Sequence, residues 1–93
     1  MIVASLTWDL SIPGCTSLKE KRSVLRSLRD RLRAKFNVSV AETAYQDVHT
    51  RAQLTIALVA TDAGFAESVL AKADHLVALN GRALVTSTRR ELY

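Results

Sequence analysis

"SLKEKRSVLRSLRDRLRAKF", residues 17–36, decides what the rest of the chain can be. Ser17 with Glu20 three residues on is a capping-box pattern, each side chain satisfying a free backbone N–H of a first helical turn. Leu18, Leu25, Leu28, Leu32 and Phe36 follow at the spacings of one buried helix face. A helix is therefore expected from Leu18 to about Lys35. Before it, Ile12-Pro13-Gly14 marks a turn. Before that turn, Ile2, Ala4, Leu6, Trp8 and Leu10 alternate with Val3, Ser5, Thr7 and Asp9, the pattern of a half-buried strand. After the helix, Val38-Ser39-Val40-Ala41 opens a second alternating run, expected to reach about Gln46.

The second half has the same grammar. Asp47 to Arg51 reads as a connection, and residues 52–60 as a strand with Leu54, Ile56 and Leu58 inward. Two short strands with a polar connector suggest an antiparallel hairpin. Thr61-Asp62 is the next N-cap; Phe65, Val69, Ala73, Leu76 and Leu79 follow at helical spacing, and Asn80-Gly81 stops the helix. A last strand is expected over Arg82–Arg89. The order β-α-β-β-α-β, with two right-handed crossovers joined by a hairpin, gives an α+β, ferredoxin-like domain over residues 1–93. It has a four-stranded antiparallel sheet with two helices on one face. The other sheet face is left open, with Ser5, Thr7, Ser39, Ala41, Thr43, Thr55 and Ala57 on it.

Charge is distributed unevenly. Residues 17–36 hold Lys19, Lys21, Arg22, Arg26, Arg29, Arg31, Arg33 and Lys35 against Glu20 and Asp30, eight cations against two anions and a net of +6. The remainder holds five cations against seven anions, a net of −2, so the basicity belongs to one element. At 100° per residue, Lys19, Arg22, Arg26, Arg29 and Arg33 fall within about 80° of one another, along one flank of the leucine stripe. They span about 21 Å at 1.5 Å per residue, the scale of several phosphates on a nucleic-acid strand. Such a row repels itself, like charges at i,i+4 costing roughly 0.2–0.5 kcal/mol each. Charged runs also commonly do no more than solvate a helix face. Lys21 points almost at the core, and its stem is expected to lie on apolar surface with the ammonium reaching water.

Other chemistry finds little support. One cysteine, Cys15, excludes an internal disulfide framework and fits a reducing compartment. The N-terminus meets Asp9 early and does not read as a signal peptide, and the apolar run LTIALVA at 54–60 is too short for a bilayer. A soluble cytoplasmic protein is the expectation. In the loop "PGCTSLKEKR", Cys15 lacks the second cysteine that a soft-metal carrier needs, and Gly14 is the only glycine, too few for a phosphate-cradling enzyme loop. A weaker anion site could form at the first helical turn beside Lys19 and Arg22, with Glu20 competing for the same N–H groups. Asp47 and His49 share a strand parity but read as polar turn residues. Trp8 and Tyr45 read as packing residues, with a contact surface as the alternative for Tyr45, which is expected on the open face. The central strands show no aromatic of the kind that stacks bases. Neither a catalytic constellation, a metal site nor a cofactor is expected.

The runs "SLKEKR", "FNVSVAE" and "QD" at 46–47, with the chain as a whole, resemble the small bacterial YlxP-like proteins, a domain of unknown function. The resemblance implies a ferredoxin-like fold, the bacterial cytoplasm and a genomic association with translation and ribosome-maturation factors. Glu42 shares the parity of Val38 and Val40, which puts a carboxylate on the helix side of the sheet. It is expected to pair with Lys21 or Arg22, since a buried carboxylate needs a partner.

Two functions from different classes follow as expectations. In the first, Lys19, Arg22, Arg26, Arg29 and Arg33 contact the phosphates of RNA or a ribosomal subunit, without catalysis or membrane. In the second, the open sheet face is a protein-interaction or homo-oligomerising surface.

Overall fold

The computed structural model describes residues 1–93. Its elements are β1 (Ile2–Ser11), α1 (Leu18–Lys35), β2 (Ser39–Ala44), β3 (Arg51–Ala60), α2 (Ala63–Ala78) and β4 (Leu84–Leu92), the order expected. The strands form one antiparallel sheet in the order β2-β3-β1-β4, with β1 and β3 central. Ala4, Leu6, Trp8 and Leu10 of β1 and Leu54, Ile56 and Leu58 of β3 are buried, together with Leu25, Leu28 and Leu32 of α1 and Leu70, Leu76 and Val77 of α2. The period-2 and period-3.6 apolar patterns thus meet in a single core. No helix is long and apolar enough to cross a membrane.

Both helix starts are fixed by side chains. Ser17 Oγ accepts from the Glu20 N–H at 3.1 Å, and Asp62 Oδ1 from the Phe65 N–H at 2.9 Å. The first cap departs from the reciprocal pattern. Glu20 does not return to Ser17; its carboxylate accepts from the Thr16 N–H at 3.2 Å and from the Thr16 hydroxyl at 3.1 Å.

Three boundaries and faces differ from expectation. β2 ends at Ala44 and not Gln46, because a bulge falls between Glu42 and Ala44 and Tyr45 turns the chain with φ +63°. β4 begins at Leu84 and not Arg82. Asn80 Oδ1 accepts from the N–H groups of Arg82 and Ala83, which holds residues 80–83 in a turn. On α2, Phe65 and Leu79 are exposed (59% and 68%), whereas Ala66, Leu70, Ala73, Leu76 and Val77 are buried. The apolar residues cover about half of this helix; Ala66, Leu70, Ala73 and Val77 lie at the centre of that arc, and Phe65 and Leu79 fall at its edge.

One core contact lies outside what periodicity can show. Trp8 is fully buried, and its Nε1–H donates to Asp74 Oδ1 at 2.9 Å. A half-buried carboxylate on α2 thereby satisfies the one polar atom of the largest core side chain. Asp74→Ala strands that N–H and is expected to cost about 1–3 kcal/mol. The measurement is a urea midpoint shift at unchanged m-value.

Candidate nucleic-acid interface

The burial of Leu25, Leu28 and Leu32 rotates the basic row of α1 toward the β2 edge of the sheet. Arg22, Arg26 and Arg29, with Leu25, Glu42 and Leu54, line a pocket of about 190 Å³ between the helix and strands β2 and β3. The five residues of the row are placed unequally. Arg22 and Arg26 are exposed at the pocket, and Arg29 is half-buried in its wall. Arg33 Nη2 makes a long hydrogen bond, 3.4 Å, to the Val40 carbonyl on the edge strand. Lys19 is exposed in the first turn, outside the pocket. Arg33 therefore has a structural use, capping a carbonyl on a strand edge that would otherwise be open to another chain.

The electrostatics of the row are unbalanced. The molecule contains two ion pairs, Lys21–Glu42 and Arg89–Glu91, and neither uses a member of the row. Arg29 Nε is buried and has no hydrogen-bond partner. An unsatisfied buried donor carries a cost of about 1–3 kcal/mol, more when charged.

Beneath the row lies the feature that the sequence placed least well. Lys21 does not bring its ammonium to water: the residue is 1% exposed. Its Nζ donates to the carbonyls of Val48 at 2.7 Å, Tyr45 at 2.8 Å and Arg51 at 3.3 Å, all in or beside the β2–β3 connection. It also stands 2.9 Å from Glu42 Oε2, the pairing expected from strand parity. The three ammonium protons are committed to the carbonyls, so the attraction to Glu42 is coulombic. Glu42 Oε2 correspondingly has no aligned donor. The available signal was the phase of Lys21, which with Leu25, Leu28 and Leu32 continues the buried stripe one turn toward the N-terminus. A lysine on that stripe must find acceptors where it lies.

The first turn of α1 is not a vacant anion site. The Thr16 hydrogen bonds hold the Glu20 carboxyl below the usual glutamate range, with Arg82 and His49 adding positive field. A carboxylate thus already stands at the positive end of the helix. Cys15 is buried, its Sγ donating to the Ser17 carbonyl at 3.3 Å. No three of the His, Cys, Asp and Glu residues come together as a metal-binding group.

The open face of the sheet is knitted to itself. Thr43 Oγ1 donates to Gln53 Oε1 at 2.7 Å, so the hydrogen between Thr43 and Thr55 (2.9 Å) must come from Thr55. By the same count, the hydrogen between Thr55 and Thr7 (3.0 Å) comes from Thr7. Gln53 Nε2 then donates to Asp9 Oδ1 at 3.0 Å, and Ser87 Oγ to Asp9 Oδ2 at 2.8 Å. The directed chain runs over β1, β3 and β2 and ends on the Asp9 carboxylate, where the Ser87 hydroxyl of β4 meets it. The bonds from Gln53 and Ser87, aided by Arg51 and Arg89, hold the Asp9 carboxyl below its ordinary value. Tyr45 lies against Arg51, whose guanidinium carbon is 4.3 Å from the ring centre and whose Nη2 donates to the phenol oxygen at 3.2 Å.

Comparison with solved structures gives the fold. The cofactor-independent oxygenase SnoaB of Streptomyces nogalater is similar with a TM-score of 0.55 at 14% identity, over 99% of this chain and 90% of that one. The de novo designed protein Ferredog-Diesel is similar at a TM-score of 0.51 and 9% identity, over 96% of this chain and 83% of that one. In sequence, the uncharacterized protein YlxP of Bacillus subtilis (strain 168) is 49% identical over 45 residues. That match covers 48% of this chain, and about half (49%) of the relative's length. Residues 3–90, nearly the whole sheet and both helices, match the family described as Protein of unknown function (DUF503), and the chain belongs to that family.

Proposed function

We propose that the chain is a non-catalytic RNA- or ribosome-associated protein of the bacterial cytoplasm that holds phosphate backbone along the β2-facing flank of α1. The observation that carries this reading is that Lys19, Arg22, Arg26, Arg29 and Arg33 share one flank and none has a carboxylate partner. Aligned, self-repelling cations gain stability when a polyanion neutralises them and releases its counterions. Contact to backbone charge positions a strand without reading its bases. This agrees with a sheet face on which the hydroxyls of Thr7, Thr43 and Thr55 and the Gln53 amide are already bonded to neighbouring side chains.

Co-sedimentation with ribosomal subunits across a salt series tests the proposal. About four phosphate contacts to single-stranded RNA give a slope near −3 in log K against log salt. Binding that is strong at low salt and falls with that steepness is the expected result. A protein that stays in the supernatant at the lowest salt overturns it. Salt-insensitive self-association would move attention to the open sheet face, where Val59 is 68% exposed.

A further inference from the structure

We infer that the pocket between α1 and the β2–β3 hairpin takes one sugar–phosphate unit of an RNA strand, with Glu42 accepting the ribose 2′-hydroxyl. The interface is then selective for RNA over DNA. The inference rests on the backbone-binding reading above and assigns its selectivity to one residue.

The lining of the pocket is chemically mixed in a telling way. Arg22, Arg26 and Arg29 call for an anion, but Glu42 stands among them. A carboxylate is acceptor-only. A bare phosphate filling this space would face it with oxygens and leave it unpartnered. The ligand that satisfies both kinds of group carries an anion and a hydroxyl donor side by side. A ribose 2′-hydroxyl next to its 3′-phosphodiester has that arrangement, and a deoxyribose offers only C–H at the same place.

Glu42 is prepared for this task. Lys21 behind it supplies a fixed countercharge 2.9 Å away, so the carboxylate can stand beside incoming phosphates at little electrostatic cost. Because the ammonium protons are spent on the carbonyls of Tyr45, Val48 and Arg51, Glu42 Oε2 receives no aligned hydrogen bond. That oxygen is buried against Lys21, so a ligand meets the carboxylate at its other oxygen, Oε1. The side chain is 23% exposed, which gives a ligand in the pocket access to it. Leu25 and Leu54 complete the lining with apolar surface suited to the carbon face of a sugar. At about 190 Å³ the space holds roughly six waters at 30 Å³ each, enough for one such unit.

The test compares three fluorescent oligonucleotides of one sequence at one salt concentration: RNA, DNA and 2′-O-methyl RNA. The last keeps the ribose frame and removes the donor. Wild type is expected to bind RNA on the order of tenfold more tightly than either of the others, the ratio for one hydrogen bond to a charged group. Folded Glu42→Gln is expected to narrow that ratio several-fold while remaining salt-sensitive. Equal binding of all three by wild type overturns the inference and leaves the phosphate reading standing. A ratio unchanged in folded Glu42→Gln also overturns it. If none of the three binds at low salt, both readings fall. Should Glu42→Gln not fold, the wild-type comparison with 2′-O-methyl RNA decides, because it needs no variant.

Discussion

Lys21→Met is expected to cost about 3–5 kcal/mol, the scale for removing one partner of a buried ion pair. The methionine fills the space of the stem but returns nothing to the carbonyls of Tyr45, Val48 and Arg51, and Glu42 loses its countercharge. Domains of this size have a total stability of about 5–15 kcal/mol. Each kcal/mol shifts Tm by roughly 4–8 °C, so a fall of at least about 12 °C is the outcome to look for in a thermal melt. A double-mutant cycle with Glu42→Gln separates two causes. Three of the four oxygens around the ammonium are carbonyls, so Glu42→Gln is expected to be the milder change and the coupling smaller than the cost of Lys21→Met. Equal single costs would mean that the ion pair, and not carbonyl capture, holds α1 to the hairpin.

The second large effect is on binding. Arg22→Glu/Arg26→Glu changes two exposed residues that make no ion pair and takes the net charge from +4 to 0. If four phosphate contacts become two, the salt slope falls from near −3 to about −1.4. At 0.1 M salt the lost contacts alone remove roughly 25-fold in affinity, and repulsion from two new carboxylates brings the loss to the order of 100-fold. Stability is expected to stay within about 0.5 kcal/mol, as for surface changes away from special features. Parallel melts and binding titrations check both halves of this statement. A variant that binds as tightly as wild type would make the row a solvated helix face and an edge guard.

How far the residues alone revealed this molecule can be seen element by element. The first helix was readable because its cap, its leucine stripe and its end agree with one another. Consistency across levels is what a foldable sequence supplies. The pairing of Glu42 with Lys21 was readable from strand parity and the cost of an unpaired buried carboxylate. The inward face of α2 was misplaced, since its apolar arc is wide and the large side chains Phe65 and Leu79 lie at the edge of it, whereas Ala66, Leu70, Ala73 and Val77 lie at its centre. The capture of Lys21 by three carbonyls depended on how the β2–β3 connection folds back, with Tyr45 at positive φ. That is a tertiary event with no local signature. The pocket was half legible: helical phase grouped its arginines, but only the sheet brought Glu42 and Leu54 to them. The bond from Trp8 to Asp74 joins residues 66 apart in sequence and had no signal at all.

Trp8 is also the only tryptophan in the chain, and this makes the protein an optical instrument with one channel. Its indole is sealed between β1 and α2 and tethered to Asp74, so red-edge-excited fluorescence reports whether that half of the core is closed. The fastening of α1 to the hairpin through Lys21 lies outside its view. If α1 loosens first on heating, ellipticity falls while emission holds steady, and the two curves separate. If they superimpose, the lysine anchor and the buried indole belong to a single cooperative unit.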